Sequence, residues 1–110
     1  MKKKIKKRQK QDINVKYFLH NLFLYLNDAK YNPDILVLKK LKGMDAYYDG
    51  DVIVIDPRKE LLPSLIHEFI HKMYEEYPES LVKKCESKII NSLTIKQFKN
   101  IIRVLGNILD

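Results

Sequence analysis

The segment "LLPSLIHEFIHKMY", residues 61–74, limits what this chain can become. Leu62, Leu65, Ile66, Phe69, Ile70 and Met73 recur at helical spacing, so the segment reads as a mostly buried helix. Inside it stand two histidines and a glutamate, His67, His71 and Glu68. Unsatisfied polar groups are costly to bury, so the fold must give these three partners or a ligand. Residues four apart lie on one helix face, one turn from each other. His67 and His71 therefore present two imidazoles in one direction, as two ligands of one metal ion must. Glu68 is rotated aside, where a carboxylate reaches a water beside the ion without binding the ion itself. This is the HExxH pattern of zinc peptidases. The competing reading is a pair of histidines at a polar edge, bonded locally.

Catalytic zinc takes three protein ligands. The acids after His71 are Glu75, Glu76, Glu79, Glu86 and Asp110. Glu75 and Glu76 fall at the end of the same helix. Glu79 falls in the first turn of the next, where the helix dipole favours an acid in any case. Glu86 has Val82, Cys85, Ile89, Ile90 and Leu93 as helical neighbours, while Lys83, Lys84 and Lys88 fill the opposite side. Its place beside the apolar face makes it the expected third ligand.

Around this motif the chain reads as α+β. Residues 12–33 give a helix whose apolar positions include Ile13, Phe18, Leu22, Tyr25 and Leu26, stopped by Asn32-Pro33. "DILVL" is a short strand. "MDAYYDGDVIVID" gives two more about Asp49-Gly50, a hairpin signal that suits a type I′ turn. Val52 to Ile55 is apolar without a break, as in a strand covered on both faces. The regular motif helix is expected to start near Pro63, since proline fits a first turn. Two helices follow, over about 79–91 and from Thr94 on. Thr94 and Gln97 match a capping box.

With 110 residues the chain suits one core. Its net charge is +7, and "MKKKIKKRQK" alone carries seven Lys or Arg and no acid, leaving 14 basic and 14 acidic side chains in the remainder. The excess is the tail, read as a flexible segment over 1–12. Such a tail can hold nucleic acid or an acidic partner by counterion release, but the balanced body argues against a nucleic-acid protein. The longest apolar run, "YFLHNLFLYL", is too short to span a bilayer. One cysteine, Cys85, excludes an intrachain disulfide, and a cytoplasmic, reducing setting is expected.

"HEFIH" followed on the next helix by "CESKI", with "GDVIVIDP" just ahead, resembles the minigluzincins, minimal HExxH metallopeptidases related to integral-membrane peptidases. The resemblance covers residues 13–110. It implies a minimal zincin-like domain over 13–92 and one zinc ion held by His67, His71 and Glu86. It further implies Glu68 as general base and acid in peptide-bond hydrolysis, and a C-terminal segment, 93–110, that holds the enzyme latent. Larger gluzincins add a Tyr or His at the oxyanion; Tyr47, Tyr48, Tyr74 and Tyr77 are the candidates here. The alternative is a non-catalytic zincin-like binding module that works through its basic tail. The Lys- and Ile-rich composition is compatible with a thermophile. The apolar stripe Ile95, Phe98, Ile101, Ile102, Leu105, Ile108 and Leu109 must bury a face, by completing the core, covering the cleft or pairing with a second copy.

Overall fold

The computed structural model describes residues 13–109. The basic segment 1–12 lies outside them. The elements run α1 (Val15–Tyr31), β1 (Leu36–Leu38), β2 (Ala46–Tyr48), β3 (Ile53–Ile55), α2 (Leu61–Met73), α3 (Glu79–Ser92) and α4 (Ile95–Leu109). The class is α+β, with four helices and one three-stranded sheet among the described residues.

The sheet order is β1-β3-β2. β1 pairs parallel with β3, Val37 opposite Val54, and β2 pairs antiparallel with β3, Tyr47 opposite Val54. The unbroken apolar run thus becomes the central strand, and all three of its residues are buried. The β2–β3 connection is a hairpin, but not the expected type I′ turn. Of residues 49–52 only Gly50 has positive φ, at 96°. The Asp49 carboxylate explains the difference. Its Oδ1 accepts the N–H groups of Asp51 and Val52 at 2.9 and 2.8 Å, closing a wider loop that needs one left-handed residue, not two.

Asn14 caps α1, its Oδ1 accepting the Tyr17 N–H at 3.0 Å. Thr94 and Gln97 form the reciprocal capping box of α4, at 3.1 and 2.9 Å. α2 begins at Leu61, two residues before Pro63. Proline is tolerated there because the first four N–H groups of a helix have no intrahelical acceptor.

One core joins every element. Phe18, Leu22 and Leu26 of α1, Leu36 of β1, Ile53 and Ile55 of β3, Leu65, Ile66 and Ile70 of α2, Val82 and Ile89 of α3, and Ile101 and Leu105 of α4 are its fully buried members, with Ala46 and Tyr48 of β2 packed against them. α4 packs against α1, while α2 packs against α3, β2 and β3. Residues 93–109 thus share the core of 13–92 and are not a separate unit. Of the stripe expected to bury a face, Ile101 and Leu105 complete the core, while Ile95, Phe98 and Ile102 stay exposed. The described side chains of α4 line neither groove beside His67.

A buried charge holds the approach to α2. Asp56 is 0% exposed. Its carboxylate accepts the Leu41 N–H at 3.0 Å, the Arg58 N–H at 3.0 Å, and Arg58 Nε and Nη2 at 2.9 and 2.7 Å. Its own N–H donates to Asp45 O at 2.8 Å. The Arg58 guanidinium and these N–H donors hold its carboxyl far below the usual carboxylate range, against the opposing effect of burial. The bonds tie the β1–β2 connection to the start of the motif helix.

Candidate metal centre

α2 buries Leu65, Ile66, Phe69 and Ile70 and leaves His67, Glu68 and His71 half-buried on its other side. The imidazoles share that face as their spacing requires, with ring centroids 4.9 Å apart and planes inclined at 67°. The third group comes from α3. The connection 74–78 is short, so α3 folds back along α2 as a helical hairpin. Its first turn therefore lies beside the last turns of α2, and Glu79 reaches both histidines. Glu79 Oε1 is 2.6 Å from His67 Nε2, and Glu79 Oε2 is 3.3 Å from His71 Nε2. His67, His71 and Glu79 place one ligand atom each within 4.8 Å of one another.

Glu86 stands elsewhere than expected. It is two turns further along α3, and its Oε1 meets His67 at Nδ1, 2.7 Å away. A helix advances about 10 Å in seven residues, so Glu79 and Glu86 address different atoms of the same ring. When Nδ1–H donates to Glu86, Nε2 keeps its lone pair on the side of Glu79 and His71. A carboxylate on the far nitrogen of a ligating histidine is the usual way to fix its tautomer and orientation. The grouping the structure offers a metal is thus His67, His71 and Glu79, and Glu86 stands behind His67.

The electrostatics agree with this division. Burial tends to raise the Glu79 carboxyl, but His67, His71 and the hydrogen bonds from them outweigh it, and the net shift is downward. The ionised form that binds a cation is favoured. Glu68 shifts the other way. Burial raises its carboxyl, the two histidines oppose this, and Glu79 and Glu86 add to the rise. A carboxylate with raised proton affinity beside an ionised one is the division an acid–base residue needs. Two imidazoles and one carboxylate are a donor set suited to catalytic zinc.

Two grooves meet at Ala46, His67 and Glu68. The first, about 460 Å³, is also lined by Gly43, Met44, Asp45, Glu60, Pro63, Ser64 and Glu86. The second, about 420 Å³, is lined by Tyr47, Tyr48, His71, Glu75 and Glu79. Of the four candidate tyrosines, Tyr47 and Tyr48 border the centre. Tyr48 donates to Glu75 Oε2 at 3.3 Å, while Tyr74 and Tyr77 stack on each other at 4.8 Å. β2 flanks both grooves, and its side away from β3 pairs with no described strand.

No family model matches the chain, and neither a curated protein nor a solved structure matches it.

Proposed function

We propose that the protein is a zinc-dependent metallopeptidase of the gluzincin kind, with one zinc ion per chain. The convergence of His67, His71 and Glu79 at the junction of two grooves carries this reading. His67, His71 and Glu79 would hold the ion, with Glu86 fixing the His67 ring. Bound there, zinc would acidify a water and polarise a carbonyl.

The chain's own residues account for the rest. Glu68, one residue after His67 and bordering both grooves, takes a proton from the attacking water and returns it to the leaving nitrogen. An extended peptide lies along the unpaired side of β2, its backbone N–H and C=O groups meeting those of the strand. That mode recognises main chain first and tolerates many sequences. Tyr47 and Tyr48 stand beside that path and line the second groove, and they are the two of the four tyrosines that would be in place to donate to a developing oxyanion. Latency through residues 93–110 would require α4 to leave α1, where Ile101 and Leu105 are fully buried.

The deciding measurement is metal content by elemental mass spectrometry on tag-free protein purified without chelator. The expected result is about one zinc per folded chain, none in His67→Ala, and cleavage of an unfolded protein substrate by the loaded form. A folded wild type that takes up no added zinc would end this reading. Zinc uptake without hydrolysis would retain the metal centre and remove the peptidase.

A further inference from the structure

The charged side chains beside the metal centre are of one sign. Apart from the histidines, Asp45, Glu60, Glu68 and Glu86 are the ionisable groups lining the first groove. Glu68, Glu75 and Glu79 line the second with Tyr47 and Tyr48, and among the described residues no Lys or Arg lines either. Six of the 14 acids of a chain with net charge +7 thus border these two grooves.

Three of the six are engaged at the centre. Glu79 meets both histidines, Glu86 meets His67 at Nδ1, and Glu68 is the acid–base group. Asp45, Glu60 and Glu75 remain, and all three are exposed. Asp45 lies 3.5 Å from Lys59. An exposed pair of that kind is weak and readily exchanged. Glu75 accepts a hydrogen bond from Tyr48 at 3.3 Å, which leaves its charge in place. Glu60 stands at the N-cap of α2, and its side chain makes no capping bond.

Surface carboxylates alone point to no ligand, but these flank an open strand edge. The first groove joins residues 43–46 to Glu60, Pro63 and Ser64 at the start of α2, and the second joins Tyr47 and Tyr48 to His71 and Glu75 at its end. β2 and α2 therefore run the same way, with Ala46, His67 and Glu68 where the grooves meet. The side of β2 away from β3 pairs with no described strand. Glu60 comes eight residues before Glu68, and Glu75 seven after it. At ~1.5 Å per helical residue each is about 10–12 Å from Glu68 along the axis, the span of three or four extended residues at ~3.3 Å each.

We infer, on the peptidase reading of this site, that its substrates are cationic peptides. They carry Lys or Arg three or four residues from the cleaved bond on both sides. Glu60 meets one of these side chains and Glu75 the other, and Asp45 adds negative charge to the first groove. Strand side chains alternate between faces, so one of the third and fourth positions turns toward the protein. Both ends of the path are acidic, so the preference is the same whichever way the peptide runs along β2.

The test uses the full-length protein with zinc added and three rhodamine-labelled peptides. They share one apolar centre and carry Lys, Gln or Glu at the third and fourth residues on each side. Binding is followed by fluorescence anisotropy and cleavage by mass spectrometry. The expected affinity and kcat/KM are about tenfold higher for the Lys peptide than for the Gln peptide, lowest for the Glu peptide, and closer together at high salt. The net charge of +7 by itself favours the Glu peptide, so a Lys preference comes from the grooves. Glu60→Gln and Glu75→Gln should each narrow the Lys-over-Gln ratio about threefold. Cleavage of all three peptides at equal rates keeps the peptidase and overturns the preference. Binding in the Lys-first order without cleavage ends the peptidase reading and leaves the grooves selective for cations. Equal binding, or tighter binding of the Glu peptide, overturns the proposal, as does a Lys preference unchanged in both glutamine variants. The three-peptide comparison needs no variant, so it stands even if one fails to fold.

Discussion

Glu86 and His67 meet at Nδ1, 2.7 Å apart, while the opposite nitrogen of the same ring faces Glu79 at 2.6 Å. One imidazole therefore lies between two carboxylates on successive parts of one helix. The first is placed to share a cation with it, and the second to hold it in position.

The two glutamates should separate in a metal titration. Glu79→Ala removes a ligand and is expected to abolish stoichiometric zinc uptake. Glu86→Gln keeps a hydrogen-bonding side chain and should retain one zinc with affinity lowered about 10- to 100-fold. Competition with a chromophoric chelator measures both. The reverse order, with zinc lost in Glu86→Gln and kept in Glu79→Ala, would return Glu86 to the ligand set.

Glu68 is expected to act on rate and not on metal. Glu68→Gln should bind zinc as the wild type does, yet lower turnover of a peptide substrate by about 100-fold or more. Because Glu68 carries a raised proton affinity in the folded chain, its neutral replacement should not lower the melting temperature. Loss of zinc together with loss of rate would place Glu68 in the coordination shell instead.

The last helix is expected to support the fold. Leu105 is 1% exposed, so Leu105→Ala should cost about 2–5 kcal/mol in denaturant unfolding. Removing residues 93–110 strips Ile101 and Leu105 from the core and should leave a chain without a cooperative melt. A truncated chain that melts cooperatively and cleaves faster than the whole would instead establish latency.

Asp56 gives a pH dependence of known sign. Its folded-state pKa is depressed, so its contribution is fully present above its unfolded value of about 4 and is lost as pH falls toward the folded one. Asp56→Asn should melt lower than the wild type at neutral pH, and the gap should narrow as pH drops below about 4. A gap of constant size from neutral pH to pH 3 would assign the effect to shape and not charge.

The sequence by itself determined what lies within one element. A periodicity of 3.6 put His67 and His71 on one face, Glu68 to the side, and Leu65, Ile66, Phe69 and Ile70 inward. Thr94 and Gln97 marked the start of α4, and the Val52–Ile55 run marked the central strand. These are local relations, fixed by helical or strand geometry and by hydrogen bonds reaching three or four residues. The hairpin was legible as a hairpin, but its turn type depended on where the Asp49 carboxylate points, which composition does not state. Tertiary structure alone decided which glutamate reaches which nitrogen. Glu79 had a local explanation as a helix-terminal acid, and the amphipathic pattern favoured Glu86 as the third ligand, so the sequence ranked first the glutamate that the fold sets behind His67. The reversal came from the antiparallel register of α2 and α3, set by the short connection between them and by Ile66, Ile70, Val82 and Ile89 in a shared core. The same holds for β2. Its edge position beside His67 follows from the sheet order, and sheet order is settled by packing between segments far apart in the chain.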